Sequence, residues 1–143
     1  MRKMLHILLS IAFIFSIAGC LPSFDPEAEK HFWQGIEFLK QKDQEAAFEE
    51  FSTAIEIDPD YSLAYYNRAL IYYRNGDLGS SLSEYNKAIE LNPNNPYWTY
   101  ERGLLHLQLG YREKAINDLE RSLELGLSFS DRQKVEDALE QLR

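Results

Sequence analysis

The chain has 143 residues, enough for one modest domain, and 45% of them are hydrophobic, enough for a packed core. A formal net charge of -8 repels phosphate backbones and gives no attraction to anionic lipids, so nucleic acid is not expected as a partner. The single cysteine, Cys20, excludes an internal disulfide and cannot by itself form a zinc site.

The first residues have the pattern of a secretion signal. Arg2 and Lys3 are followed by an apolar run over residues 7–17 that is interrupted by two serines. This run is shorter than the roughly 20 apolar residues that a helix needs to cross a bilayer. With small residues before the cysteine, the pattern predicts a signal peptide over residues 1–19 that is removed in the mature protein.

Residues 17–20, Ile-Ala-Gly-Cys, resemble the lipobox of bacterial lipoproteins. The resemblance implies diacylglycerol on the sulfur of Cys20, cleavage before it, and acylation of the new N-terminus. Two or more acyl chains anchor a protein stably, with residues 20–27 as a short tether. In lipoproteins similar to those of enterobacteria, an aspartate after the cysteine retains the protein at the inner membrane. Leu21 stands at this position instead. If the organism has an outer membrane, this favours a location there, facing the periplasm. An ordinary signal peptide or a short membrane anchor is the alternative.

The rest of the chain repeats every 34 residues. Ala-Ile-Glu-Ile-Asp-Pro at 54–59 returns as Ala-Ile-Glu-Leu-Asn-Pro at 88–93, and a third copy ends with Ser-Leu-Glu-Leu-Gly at 122–126. Apolar residues recur at helical spacing within each unit, and Gly76 and Gly110 mark tight turns. The prolines that close the first two copies break the chain between units. Each unit is therefore predicted to be a helix-turn-helix pair.

Small residues recur where the two helices of a unit must approach closely, because a larger side chain would wedge the helices apart. They are Gly35, Ala69 and Gly103 on the first helices, and Ala47, Ala54, Ser81, Ala88, Ala115 and Ser122 on the second helices.

The sequence resembles the tetratricopeptide repeat (TPR) in its 34-residue period, in the positions of its small and aromatic residues, and in the prolines that close its repeats. The resemblance covers three repeats, at 28–61, 62–95 and 96–129. It implies an all-α fold, a right-handed solenoid of three helix-turn-helix repeats. The sequence departs from the family pattern at Lys42, where a turn glycine is usual, at Thr99, where a bulky residue is usual, and at Leu127, where a proline is usual. Gly126 is expected to end the last repeat helix.

Residues 130–143 are predicted to form a capping helix, because the last repeat of a solenoid cannot bury its apolar face alone. Ser-Asp-Arg-Gln at 130–133 has the pattern of a capping box. One apolar stripe is formed by Val135, Ala138, Leu139 and Leu142. The alternative is a helix that docks on a partner protein.

In the TPR family the first helices of successive repeats line a concave groove, and the resemblance implies that a protein or peptide binds there. The matching positions are Phe32, Ile36 and Leu39, then Tyr66, Leu70 and Tyr73, then Tyr100, Leu104 and Leu107. Their spacing of i, i+4 and i+7 places each set of three on one helical face. The alternative is that these residues pack against neighbouring first helices of the same fold.

Chaperone-binding TPR domains hold a C-terminal carboxylate with a clamp of Lys, Asn and Arg. The matching positions in this chain are Phe32, Ile36, Asn67, Tyr97 and Glu101. Of these, Asn67 fits the pattern, and Glu101 would repel a carboxylate. That ligand class is therefore not expected, while Asn67 and Tyr97 remain candidate contacts of the groove.

No catalytic residue, cofactor or metal site is predicted. His31 and His106 lie on first helices at positions where repeats bury a bulky residue, which favours core histidines. Arg68 and Arg102 occupy equivalent positions, which favours a structural role in each repeat. The sequence contains no serine or cysteine nucleophile next to a plausible base, no phosphate-binding glycine loop and no metal-ligand spacing.

Together these features predict a lipid-anchored adaptor or scaffold of the bacterial cell envelope that binds an envelope protein or peptide in its groove. Lipoproteins of this build resemble pilotins and adaptors for cell-wall hydrolases, and the residues do not choose between the two. The alternative is a self-associating structural lipoprotein, a homodimer formed through the groove or the capping helix.

Overall fold

The computed structural model describes residues 25–142, and the secondary structure in this range is α-helical. The seven helices of this range are α1 (Pro26–Lys40), α2 (Gln44–Ile57), α3 (Ser62–Arg74), α4 (Leu78–Leu91), α5 (Pro96–Gln108), α6 (Arg112–Leu125) and α7 (Phe129–Leu142). None of them is long and apolar enough to cross a bilayer. The predicted signal peptide and Cys20 lie outside the described residues.

The helices stack as consecutive antiparallel pairs. Helix α1 packs on α2, α3 on α4, and α5 on α6, while α2 contacts α3, α4 contacts α5, and α6 contacts α7. Packing is thus dominated by neighbours in the sequence, which is the organisation of a solenoid. This is the predicted all-α arrangement, in which the 34-residue period gives three helix-turn-helix pairs and a capping helix follows the last of them.

Side-chain caps fix where several helices begin. Asp43 accepts a hydrogen bond from the backbone N–H of Ala46 at 3.0 Å, and Asp77 accepts one from Ser80 at 3.0 Å. Asn95 caps α5, whose first residue is a proline. An acidic or amide side chain satisfies one of the free N–H groups at a helix start, and proline suits the first helical position.

The turn inside each repeat has a residue in the left-handed region. Gly76 and Gly110 both have φ of +79°, and Lys42, the departure noted in the first repeat, has φ of +64°. Lys42 therefore keeps the shape of the turn and accepts the steric penalty that a Cβ meets there. Gly126, with φ of +96°, ends α6 as expected.

The nine small residues are all buried, as the sequence predicts. A Cβ added to Gly35 would lie 2.6 Å from Cε1 of Phe51, and one added to Gly103 would lie 3.2 Å from Cδ2 of Leu119. These two glycines therefore let the aromatic or aliphatic side chain of the second helix reach the backbone of the first helix.

The final helix docks on the third repeat of its own chain. Leu119 of α6, Leu127 of the connecting segment, and Val135 and Leu139 of α7 form one buried cluster. Leu127, which replaces the usual proline, contributes an apolar contact instead. The alternative, in which this helix leaves its own repeat to dock on a partner, is wrong.

The side-chain cap of α7 is Ser128, two residues before the capping box predicted at 130–133. The helix begins at Phe129, and the Ser128 hydroxyl donates to Oδ2 of Asp131 at 2.6 Å. The Asp131 backbone N–H donates in return to the Ser128 hydroxyl at 3.3 Å. Two serines, each followed three residues later by a polar side chain, offered similar patterns. Burial of Leu127 just after α6 brings the chain into the helix early.

Candidate binding site on the first helices

The predicted groove residues fall into three groups by burial. Two are buried, Phe32 and Asn67. Six are partly buried, namely Ile36, Leu39, Tyr66, Leu70, Tyr100 and Leu107. Three are exposed, namely Tyr73, Tyr97 and Leu104. The surface that a partner could reach is therefore smaller than the predicted set.

Phe32 belongs to the core and not to an open surface. Its ring lies between those of Phe51 and Tyr61, with centroid separations of 5.7 and 5.2 Å, and it is 5% exposed. The first repeat and the start of the second therefore enclose it. The expectation that Phe32 faces a ligand is corrected, because its aromatic surface is already used in packing.

Asn67 is also turned to an internal use. Its side-chain amide donates to the backbone oxygen of Leu63 at 2.8 Å, one turn earlier in α3, and the residue is 8% exposed. The expectation that Asn67 contacts a ligand is corrected, since its amide donor serves its own helix.

On the third repeat, α7 covers part of the surface formed by the predicted groove residues. Tyr100 and Leu107 pack against the buried cluster that Leu119, Val135 and Leu139 form with the connecting segment. The chain's own last helix thus uses two of the four predicted groove residues of this repeat, and Tyr97 and Leu104, which are 45% and 40% exposed, remain open.

Between α3 and α5 the face contains a pocket of about 180 Å³. It is lined by Leu70, Tyr73, Tyr85, Glu101, Leu104 and Leu105. Tyr73 and Leu104 are 45% and 40% exposed and form its accessible side, whereas Tyr85 and Leu105 are buried. Small-molecule sites are commonly about 300–1,000 Å³, so this pocket is closer in size to one side chain of a polypeptide.

A carboxylate held by two tyrosines lies in this pocket. The Tyr85 hydroxyl donates to Oε2 of Glu101 at 2.9 Å, and the Tyr66 hydroxyl donates to Oε1 at 3.4 Å. Burial, reinforced by the Glu101 charge, raises the pKa of both tyrosines above the ordinary value. Both hydroxyls therefore remain protonated, and the carboxylate is held in a fixed position.

The tyrosine rings are themselves held by aromatic packing. Tyr66 stacks on Trp98 with a centroid separation of 5.2 Å and an angle of 17° between planes, and it meets Tyr85 edge-on at 6.0 Å. Trp98 is buried. Such aromatic pairs are worth about 0.5–1.5 kcal/mol beyond their buried area, so the hydroxyls above Glu101 are positioned by a rigid group.

Among residues 25–142, no lysine, arginine or histidine forms an ion pair with Glu101. Arg74 is the cation whose charge acts on the neighbouring Tyr66 hydroxyl. The repeat arginines are used elsewhere. Arg68 donates to both carboxylate oxygens of Glu84, and Arg102 donates to both oxygens of Asp118. This agrees with the structural role predicted for the two arginines.

Sequence reasoning missed Tyr85 and Trp98 as parts of this site. Tyr85 lies on a second helix, in a series with Phe51 and Leu119 at the 34-residue spacing, which indicates a core position. The signal that could have identified it is the hydroxyl, which the other two members of the series lack and which needs a partner when buried.

The two histidines of the described range differ in environment. His106 is buried, with Nε2 3.6 Å from Oδ2 of Asp118, and its Nδ1 has no hydrogen-bond partner. His31 is partly buried, and its Nδ1 lies 2.6 Å from Oε2 of Glu50. Within the part of the chain that the structure describes, no group of three or more His, Cys, Asp or Glu side chains could hold a metal ion.

Family models match most of the helical region. A model described as TPR repeat matches residues 35–76 and 71–110, and a model described as tetratricopeptide repeat matches residues 100–125. Comparison with the curated proteins gave no match.

Several solved structures are similar over most of the chain. The first TPR of Spaghetti (RPAP3), bound to the HSP90 peptide SRMEEVD, is 26% identical, with a TM-score of 0.70 over 81% of this chain and 90% of that one. The TPR domain of P58(IPK) is 28% identical, with a TM-score of 0.75 over 80% of this chain and 32% of that one. The yeast Sti1 TPR2B domain in complex with pHsp70, 17% identical with a TM-score of 0.71 over 82% of this chain and 97% of that one, shares the fold.

Proposed function

Because the chain belongs to the tetratricopeptide repeat family, we propose that it is an adaptor that binds a polypeptide on the face formed by α1, α3 and α5. The observation that carries the proposal is the pocket between α3 and α5, with Tyr73 and Leu104 at its open side. An exposed tyrosine supplies a large contact area and loses little rotamer entropy on binding.

A similar solved structure supports polypeptide binding. The first TPR of Spaghetti (RPAP3) is bound to an HSP90 peptide, and it covers most of this chain. The ligand of this chain differs in charge, because Glu101 stands in its pocket and the side chain of Asn67 is used internally. The proposal therefore covers binding of a polypeptide segment, and a C-terminal carboxylate is not its anchor.

The second part of the proposal is attachment to the bacterial envelope through Cys20. Its support is the lipobox-like Ile-Ala-Gly-Cys sequence after a short apolar run with a basic start. Two or more acyl chains would anchor the adaptor stably and hold its client at the membrane surface. A pilotin-like role in assembly and a role as adaptor for a cell-wall hydrolase are both forms of this function.

Binding on the face is tested by photo-crosslinking in the native envelope. A crosslinking amino acid at position 73 or 104 is expected to capture one client reproducibly, and one at position 56, exposed on α2, is the matched control. The client must then bind the purified chain with a measurable Kd that the Tyr73→Ala and Leu104→Ala pair weakens. Equal capture from all three positions, or binding unaffected by the pair, would contradict the proposal.

Attachment is tested separately by mass spectrometry and metabolic labelling with an alkyne fatty acid in a bacterial host that processes lipoproteins. The wild-type chain is expected to incorporate label, to begin at Cys20 and to fractionate with membranes. Cys20→Ser is expected to lose the label. A mature protein that retains residues 1–19 without acylation would remove the lipoprotein part of the proposal and leave the binding part standing.

A further inference from the structure

The carboxylate of Glu101 is partly buried and forms no ion pair in the described range. It lines the pocket, it is partly buried, and its hydrogen bonds come from the neutral hydroxyls of Tyr66 and Tyr85. Burying a charge is costly unless it is paired as well as hydrogen-bonded. In the described range the pocket thus presents a carboxylate that forms no ion pair with a lysine, arginine or histidine.

Three other buried or partly buried carboxylates of the described range, those of Glu50, Glu84 and Asp118, have a basic partner. Glu84 and Asp118 each accept two hydrogen bonds from an arginine, with their side chains 14% and 11% exposed. Glu50 lies 2.6 Å from Nδ1 of His31. Glu101 differs from these three because it forms no ion pair in the described range. Asp25, Glu29 and Asp58 are partly buried and form no ion pair either, but they do not line the pocket between α3 and α5.

The shape of the pocket indicates what would complete the pair. Leu70, Tyr73 and Leu104 give an apolar and aromatic wall, while the carboxylate of Glu101 is hydrogen-bonded to buried Tyr85. Lysine and arginine side chains have an apolar stem and a charged head, so the stem can lie along such a wall with the head at the carboxylate. The ring of Tyr73 can also contact the cation directly.

We infer that the pocket between α3 and α5 binds a lysine or arginine side chain of the client polypeptide, with Glu101 as its counter-ion and with apolar client residues beside it. This inference depends on the proposed function and specifies its ligand as a basic and hydrophobic segment. A carboxylate retains free acceptor sites when it accepts two hydrogen bonds, so the two tyrosines do not compete with the incoming cation. The negative charge of the whole chain adds long-range attraction for such a segment.

The test is selection of a phage-displayed library of random short peptides on the full chain, purified in detergent. Enriched peptides are expected to share a lysine or arginine flanked by apolar residues, and to bind with a measurable Kd in fluorescence anisotropy. Replacing that basic residue by norleucine is expected to weaken binding by about tenfold or more, since hydrogen bonds to charged groups are the strong ones.

Variants of the chain give the reciprocal test. Glu101→Gln keeps the size of the side chain and one acceptor for the tyrosines, and it is expected to weaken the selected peptides by about tenfold or more. Glu56→Gln, which removes the same charge from an exposed position on α2, is the matched control and is expected to leave binding within about twofold at moderate salt, because exposed charges are screened. Circular dichroism melts of all variants check that they are folded.

The outcomes separate the inference from the proposed function. The inference is overturned, and the binding face is left intact, if the selected peptides need Tyr73 and Leu104 but contain no basic residue. The same holds if the peptides bind Glu101→Gln and the wild type with equal affinity. Failure to select any peptide that depends on Tyr73 and Leu104 overturns both. Binding to Glu101→Lys with a new preference for acidic peptides would support the counter-ion role directly.

Discussion

Arg102 binds both carboxylate oxygens of Asp118, with Nε and Nη2 donating at 2.8 and 2.7 Å, and so joins α5 to α6 across the third hairpin. The same contact joins Arg68 to Glu84 in the second hairpin, 34 residues earlier. Nη1 of each arginine also donates a hydrogen bond to the preceding repeat. Arg68 donates to Ser52, and Arg102 donates to Asn86. The arginines therefore connect a hairpin internally and also to its neighbour.

Arg102→Ala is expected to lower the free energy of unfolding by about 3 kcal/mol, because it leaves the buried Asp118 carboxylate without its counter-ion. The control is Arg121→Ala, which removes an exposed partner of Glu124 and is expected to cost less than about 1 kcal/mol. Urea denaturation followed by circular dichroism measures both. Equal effects of the two substitutions would show that the buried pair has no special role.

His106 is expected to make the fold less stable as the pH falls below about 6.5, the ordinary pKa of histidine. Burial lowers the pKa of His106 in the folded chain, so between this lowered value and about 6.5 the unfolded chain binds more protons than the folded one. Stability therefore rises with pH in that window and is lost as the pH falls through it.

The test of this pH dependence is His106→Phe, which introduces the residue found at the equivalent position 38 of the first repeat. The melting temperature of the variant is expected to change less than that of the wild type between pH 7.5 and about pH 5, the lower end of the range in which histidine titrates. Parallel pH profiles of the two chains would refute the assignment to His106.

Two helical glycines are expected to respond to alanine in opposite directions. Gly35→Ala puts a Cβ 2.6 Å from the ring of Phe51, so about 1–3 kcal/mol of stability should be lost through overpacking. Gly79→Ala on α4 meets nothing closer than 3.8 Å and should gain up to about 1 kcal/mol through helix propensity. Thermal or urea unfolding shows whether each substitution raises or lowers the free energy of unfolding. A stabilising Gly35→Ala would contradict the close approach of α1 and α2.

Lys42→Gly is expected to stabilise the chain by up to about 1 kcal/mol, because the lysine has φ of +64°, where a Cβ is unfavourable. The matched reverse change is Gly76→Ala in the second repeat, where φ is +79° and open space surrounds the glycine. It should destabilise by a similar amount, so that any loss reports the backbone angle and not a steric clash. Chemical denaturation of Lys42→Gly and Gly76→Ala measures the change in the free energy of unfolding of each variant.

The residues of the binding face should separate into structural and accessible groups. Tyr66→Ala is expected to cost about 3 kcal/mol, since it removes a ring stacked on Trp98 and leaves a cavity. Tyr73→Ala with Leu104→Ala, both exposed, is expected to cost less than about 1 kcal/mol in total. Melting temperatures check this, and the accessible pair is therefore the correct variant for measuring loss of client binding. A large loss of stability in the accessible pair would make it unsuitable for that purpose.

Much of the fold could be predicted from local features of the sequence. The 34-residue period, the small residues such as Gly35 and Ala69, and the turn glycines each follow from a requirement that acts within a repeat or between adjacent repeats. Because a solenoid is built from contacts between sequence neighbours, these local requirements are sufficient to specify its architecture. The sequence does not distinguish Ser128 from Ser130 as the cap of α7, because each is followed three residues later by a polar side chain, and the structure places the cap at Ser128.

The tertiary structure alone decided which residues of the face remain accessible. Sequence spacing places Phe32, Tyr66 and Tyr100 at equivalent positions. The first, however, is buried by its own repeat together with the start of the second, Tyr66 stacks on Trp98, and Tyr100 packs on the cluster that includes α7. The pairing of Tyr85 with Glu101 also joins two helices, so no pattern within one helix reveals it. Periodicity fixes the direction in which a side chain leaves its own helix, whereas burial depends on what the neighbouring helices bring against it.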